Sequence, residues 1–190
     1  MLFQRRSRPV IGLDITTSSI KLIELSRSGD GYRVESYAAE PSPPNAINEK
    51  AIVDAQAVGE AVRRAVKRAG ARAKEVAVAI SGDAAITKVI QMPRNLRDAE
   101  LESQVEMQAD QYIPFPMEEV AYDYEVMGAS DKDPESIDVL LVASRSENVE
   151  QRRAAVAAAG LNARIVDVEA FALENACRLM THQMPDGGID

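Results

Sequence analysis

The sequence predicts an α/β protein assembled from two pieces, and three observations carry that prediction. Up to Tyr37 the chain holds three short apolar runs joined by tight turns, the pattern of an antiparallel meander. An amphipathic helix and one more apolar strand follow, giving the order βββαβ. From Ser81 the pattern changes to strand, helix, strand, strand and helix, and then returns to a strand and a helix.

Val10–Ile15 is an apolar run broken by Asp14, Ile20–Leu25 is the second, and Tyr32–Tyr37 is the third, after the turn Gly29-Asp30-Gly31. A loop rich in Pro spans Pro41 to Asn48. Asp54–Ala69 places Val58, Val62 and Val66 on one helical stripe and Arg63, Arg64, Lys67 and Arg68 off it, with Gly70 as a stop and a basic last turn that suits the helix dipole. Val76–Ile80 is apolar throughout, as expected of a buried strand. Ile86–Met92 reads as a strand and Leu96–Tyr112 as an acidic, Gln-bearing helix with Leu101, Val105 and Met107 among its apolar positions. Pro114-Phe115-Pro116 ends that helix. Tyr122–Met127 and Ile137–Ala143 are strands separated by the polar loop Ser130–Ser136. Ser146–Ala159 is an Ala-rich helix closed by Gly160, Arg164–Val168 a short strand, and Ala170–His182 an apolar-periodic helix before a turn-like QMPDGGID. The expected organisation is a core over 1–84, an inserted α+β subdomain over 85–162 of about 75 residues, and a resumed core over 163–190.

With 190 residues, 46% of them hydrophobic, the chain suits one large domain or two small ones. Aromatics are 4% and Trp is absent, so the core is expected to be Val, Ile, Leu and Ala. A net charge of −8, without basic residues interleaved with aromatics, argues against a nucleic-acid partner. Cys177 is the one cysteine, which rules out an intramolecular disulfide and fits a reducing compartment. Its apolar helical setting suits a packed thiol. His182 is the one histidine, and these two residues are too few for structural zinc. MLFQRRSRPV lacks the apolar stretch of a signal peptide, and no run approaches the roughly 20 apolar residues of a membrane span. The expectation is a soluble, cytoplasmic protein, with Arg5–Arg8 a solvated tail or a contact for anionic lipid.

The segment with chemistry is Asp14-Ile15-Thr16-Thr17-Ser18-Ser19-Ile20-Lys21. A carboxylate closes the first strand, small hydroxyl residues make the turn, and Lys21 lies on the outgoing strand. Backbone N–H groups and hydroxyls of such a turn, with the Lys, suit a phosphate. Asp14 beside that phosphate makes sense with Mg²⁺ between them, held through water. The alternative is an ordinary hairpin turn with an exposed Lys.

These residues resemble the first phosphate motif of the actin, Hsp70 and sugar-kinase superfamily, whose RNase H-like repeating half has the same strand and helix order. The closer resemblance is to the PilM family of type IV pilus assembly proteins, and more distantly to FtsA. It is carried by IGLDITTSSIKLIEL at 11–25, VAVAISGDAAITKVIQMP at 76–93, ELESQVEMQADQYIPFPMEEVAYDY at 100–124 and AAGLNARIVDVEAFALENA at 158–176. The YIPFP stretch followed by acids is the most specific part. Thr16 departs from the pattern, since relatives commonly have Gly there.

The resemblance implies an actin/Hsp70 ATPase-like subdomain with an inserted α+β subdomain, covering the N-terminal half of such a protein and stopping before the second half. It implies ATP and Mg at Asp14, Thr16, Thr17, Ser18, Ser19 and Lys21, in a site completed only by that second half. It also implies a cytoplasmic adaptor, not an enzyme, that binds the N-terminal cytoplasmic peptide of PilN in a groove between core and insert. The adaptor would then sit peripheral to the inner membrane through its partners, the pilus complex and the cytoplasmic pilus ATPases. Ile86, Val89, Ile90, Tyr112, Phe115 and Met117 are the residues matched to that groove, with core packing as their alternative role. Glu118, Glu119 and Asp123 form an acidic patch that would suit a basic flank of such a partner. An exposed half-cleft implies self-association. The alternatives are an ATP-hydrolysing actin-like enzyme and an FtsA-like cell-division scaffold.

Overall fold

The computed structural model describes residues 9–29 and 31–180. Arg5–Arg8, Asp30, His182 and the QMPDGGID segment lie outside the described residues. The elements in chain order are β1 (Val10–Ile15), β2 (Ser19–Ser28), β3 (Gly31–Pro41), β4 (Ile47–Asn48), β5 (Ala51–Ile52), α1 (Ala55–Ala69), β6 (Glu75–Ile80), β7 (Ala85–Pro93), α2 (Asp98–Tyr112), β8 (Val120–Ala129), β9 (Ser136–Arg145), α3 (Ser146–Ala158), β10 (Asn162–Val168) and α4 (Glu169–Met180). The chain divides into two compact units, a core of Met1–Gly82 with Glu150–Asp190 and an insert of Asp83–Val149.

The core sheet has the order β10-β6-β1-β2-β3. β2 runs antiparallel to β1 and β3, whereas β6 is parallel to β1 and β10 is parallel to β6. Taken in chain sequence this is the 3-2-1-4-5 order with a reversed second strand, the RNase H-like arrangement of the actin superfamily. Alternation sets the faces: Ile11, Leu13, Ile15, Ile20, Leu22, Val76 and Val78 turn into one cluster. Helix α1 covers it with Val58, Ala61, Val62 and Ala65, spaced for one helical stripe. Asp54 caps α1 by accepting from the Ala57 N–H at 2.9 Å, and Gly70 ends it in the left-handed region at φ 67°. Gly59 lets α1 approach α3 closely, because a Cβ there would lie 2.5 Å from the Ala158 Cβ.

Three features of the core differ from the sequence expectation. The Pro-rich loop contains the small β4–β5 hairpin, turned by Glu49 and Lys50 at φ 46° and 70°. Strands of two residues are too short to leave a period. Helix α3, expected in the insert, buries Ala155 and Val156 in the core cluster; an Ala-rich stripe announces a buried face but not the sheet it covers. Helix α4, expected to be packed through an apolar stripe, leaves Leu173 66% and Leu179 54% exposed, and Cys177 is half-buried.

The insert is a three-stranded antiparallel sheet of order β7-β9-β8. Helix α2 lays Leu101, Val105 and Ala109 on Ile90, Met92, Val139, Leu141 and Ala143, and Ile113 closes the cluster. In the loop between β8 and β9, Asp133 accepts from the Ser136 hydroxyl and the Glu135 N–H. Those two bonds hold its carboxyl below the usual carboxylate range.

Candidate functional site

The β1–β2 turn occupies the carboxyl edge of the core sheet. Asp14 and Lys21 face each other across the two strands, and the Lys21 Nζ lies 2.9 Å from the Asp14 Oδ2. That hydrogen bond, and then the carboxylate's charge, raises the Lys21 pKa. Thr16 shapes the turn between them. Its N–H donates to the Ser19 carbonyl at 3.0 Å, and its hydroxyl donates to the same carbonyl at 2.9 Å while accepting from the Ser19 N–H at 3.1 Å. Ser42 clamps the outside, its hydroxyl donating to the Thr16 carbonyl at 2.6 Å and its N–H to the Ser18 carbonyl at 3.2 Å.

This explains the threonine where the family resemblance leads one to expect glycine. Positive φ at non-glycine residues occurs, among the described residues, at Asn45, Glu49 and Lys50. Thr16 therefore needs no left-handed backbone, and its hydroxyl performs a structural task inside the turn. The groups left for an anion are the exposed N–H donors of Thr17 and Ser18, which have no hydrogen-bond partner among the described residues, and the Lys21 ammonium. These donors fit a phosphoryl group. Asp14 would face a magnesium ion through water, as one carboxylate suffices for a hydrated Mg²⁺. Among the described residues no group of three acidic, His or Cys side chains converges on a metal position.

Register brings further residues to the same edge. Leu13 pairs with Val78 along β1 and β6, and Asp167 of β10 pairs with Ala79. Carried one residue on, the first register sets Asp14 beside Ala79, so Asp14 and Asp167 flank one position on one face. The sequence pattern did not single out Asp167 or the neighbouring Ser81; only strand order puts residues so far apart in the chain together. Arg152 of α3 fixes this end of β6. Its guanidinium is buried and donates to the carbonyls of Ala79 and, at 3.2 Å, Lys50. Burial pushes its pKa down, and the Glu169 carboxylate pulls it up.

The six residues matched to a peptide site all lie in the insert, and they separate by exposure. Ile90 is 3% exposed and belongs to the apolar cluster, so it offers no surface. Ile86, Phe115 and Met117 are half-buried against that cluster. The Arg145 guanidinium lies 4.2 Å from the Phe115 ring centre. Val89 is 50% and Tyr112 43% exposed, with the Lys88 ammonium 5.1 Å from the Tyr112 ring. Alternation on β7 accounts for the split between Val89 and Ile90.

A five-stranded sheet of this order, an acid–turn–lysine hairpin at its carboxyl edge and an α+β insert after β6 together define a protein of the actin-like class. Within that class, the chain belongs to the type IV pilus assembly protein PilM family, whose sequence pattern it matches over residues 12–190. It is similar to a chain of the PilM–PilN type IV pilus biogenesis complex, with 30% identity and a TM-score of 0.81 over 95% of this chain and 53% of that one. It therefore spans about half the length of that relative. The cytoplasmic domain of EpsL, an inner-membrane component of the type II secretion system of Vibrio cholerae, shares the fold at 13% identity, with a TM-score of 0.53 over 84% of this chain and 57% of that one.

Proposed function

We propose that the protein is a cytoplasmic adaptor of the type IV pilus inner-membrane assembly complex and that it captures a short peptide of PilN. The observation that carries this reading is the match over nearly the whole chain to a chain of the PilM–PilN complex. No helix among the described residues is long and apolar enough to cross a membrane, and on this reading the protein meets the membrane complex through PilN. The insert supplies one wall of the peptide site through Val89 and Tyr112, the two exposed residues of the matched set. An extended apolar peptide gains affinity there from main-chain bonds and selectivity from side-chain contacts. Titration of a PilN N-terminal peptide into wild type and into Val89→Lys tests this. Loss of about 10-fold or more in affinity is expected for a desolvated contact. Unchanged affinity in a folded Val89→Lys protein removes the insert from the site.

The β1–β2 turn is the first half of an ATP site with a scaffolding task. Lys21 and the N–H groups of Thr17 and Ser18 would hold a phosphoryl group, and Asp14 would hold a hydrated Mg²⁺ beside it. Bound metal would supply charge neutralisation at the phosphates. Peptide capture without nucleotide turnover is the behaviour expected of an adaptor, and steady ATP hydrolysis in the same preparation would favour the enzyme reading.

A further inference from the structure

We propose that Ser81 is a further phosphoryl-binding residue of this site, its hydroxyl kept unpaired inside the protein for a phosphoryl oxygen. The inference rests on reading the β1–β2 turn as a phosphate site. Ser81 is 3% exposed, and its Oγ has no hydrogen-bond partner. Buried hydroxyls are nearly always satisfied, and leaving one unpaired costs free energy, so an exception in a well-formed core asks for a cause.

Its position supplies the cause. β6 pairs with β1 in parallel, with Gly12 opposite Ala77 and Leu13 opposite Val78. Carried past the two strand ends, that register sets Ser81 opposite Thr16. Neighbouring strands lie about 4.8 Å apart, so a continued register would put Ser81 at the sheet edge beside the turn. Gly12, Asp14 and Thr16 share one parity of the alternation with Ala77, Ala79 and Ser81, so the serine follows the face that carries Asp14 and its partner Lys21. Gly82 follows, and a Cβ built there meets nothing within 4 Å, which leaves open space beside the serine. Arg152, bonded to the Ala79 carbonyl, ties down the backbone of this strand end two residues before the serine. A neutral donor in a dry, fixed position is worth more to an incoming oxyanion than the same hydroxyl in water.

The claim predicts opposite signs for two measurements on one substitution. In Ser81→Ala the ligand-free protein should melt about 2 °C or more higher, because a buried unsatisfied hydroxyl has been removed. Its affinity for Mg·ATP, measured by calorimetry on a protein that includes the second half of the site, should fall about 3- to 10-fold, the worth of one neutral hydrogen bond. Ser28→Ala, at the exposed end of β2, serves as the control and should change neither. Lower melting of Ser81→Ala would show that the hydroxyl has a structural partner such as an internal water, and it overturns the proposal. Equal Mg·ATP affinity in wild type and Ser81→Ala also overturns it and leaves the phosphate reading of the turn standing. Failure of the wild-type protein, with the second half of the site present, to bind Mg·ATP sinks both.

Discussion

The core and the insert solve the same problem with different means. Each is a sheet whose apolar face is covered by helix. In the core, four parallel strands and the reversed strand β2 are tied by buried polar groups as well as by packing. Arg152 grips two carbonyls, and the Glu24 carboxylate, 7% exposed, accepts from the N–H groups of Arg72 and Ala73 and from the Ser36 hydroxyl. In the insert, one helix and three antiparallel strands rest on an apolar cluster, and most of the charge lies outside. Its buried residues include the neutral hydroxyls of Ser130, which accepts from the Gln91 amide, and Ser144, which donates to the Ala84 carbonyl. Asp83–Val149 holds fifteen of the 30 acidic residues but five of the 22 basic ones, so it carries −10 while the remainder carries +2. The lesson is a division of labour. The unit with the Asp14–Lys21 turn is held by buried charged groups that preserve geometry, and the unit proposed for partner capture rests on apolar packing and neutral hydroxyls beneath an acidic surface.

The largest expected effect tests whether the two units are held independently. Leu141 is 1% exposed at the centre of the insert cluster, and Leu141→Ala should cost about 2–5 kcal/mol through lost burial and a cavity. Amide hydrogen exchange should then quicken in α2 and β9 while Val58 and Val62 of α1 keep their protection. Equal loss in α1 would break the comparison, because the two units would then be one cooperative body.

Arg152→Met is the counterpart in the core, with a smaller expected cost. Methionine replaces the stem but not the donors, so the Ala79 and Lys50 carbonyls lose a buried partner at about 1–3 kcal/mol. Exchange should quicken at the β4–β5 hairpin and at the end of β6, with the insert unchanged. Greater stability in Arg152→Met would mean that desolvating the guanidinium outweighs its two bonds, and the contrast in how the units are built would lose its main support.

Much of this division was legible in the chain. The meander and the helix between Asp54 and Gly70 carry local periods, and the strands at 76–80 and 137–143 carry apolar runs, that survive into the structure because alternation, apolar runs and capping are properties of neighbouring residues. The Asp14–Lys21 pairing was legible for the same reason, being fixed by one tight hairpin. What escaped depends on contacts between distant segments. The sheet that α3 covers is decided by how Ala155 and Val156 fit against α1, and no spacing within 146–159 records that. Ile90 and Val89 are both apolar, and only the position of α2 makes one buried and the other exposed. Ser81 and Asp167 come to the Asp14 edge of the sheet through the strand order β10-β6-β1, which brings together residues from opposite ends of the chain.

The smallest expected effect sharpens the insert's side of the comparison. Tyr122 lies on β8, where burial raises its phenol pKa above 10.0 and the carboxylates of Glu106 and Glu102 on α2 raise it further, with Tyr124 adding a minor part. The folded state thus holds the phenol proton more tightly than the unfolded one. The resulting stability is fully present below the unfolded pKa and is lost as pH climbs through the raised folded value. Glu106→Gln should bring the Tyr122 titration, followed by ultraviolet absorbance of the phenolate, part of the way back, with burial retaining the rest. Added salt should act in the same direction, because exposed carboxylates are screened and burial is not. If neither changes the titration, the acidic surface of the insert exerts no field on its own strand. Its −10 would then be spread too thinly to draw a basic partner segment toward β8.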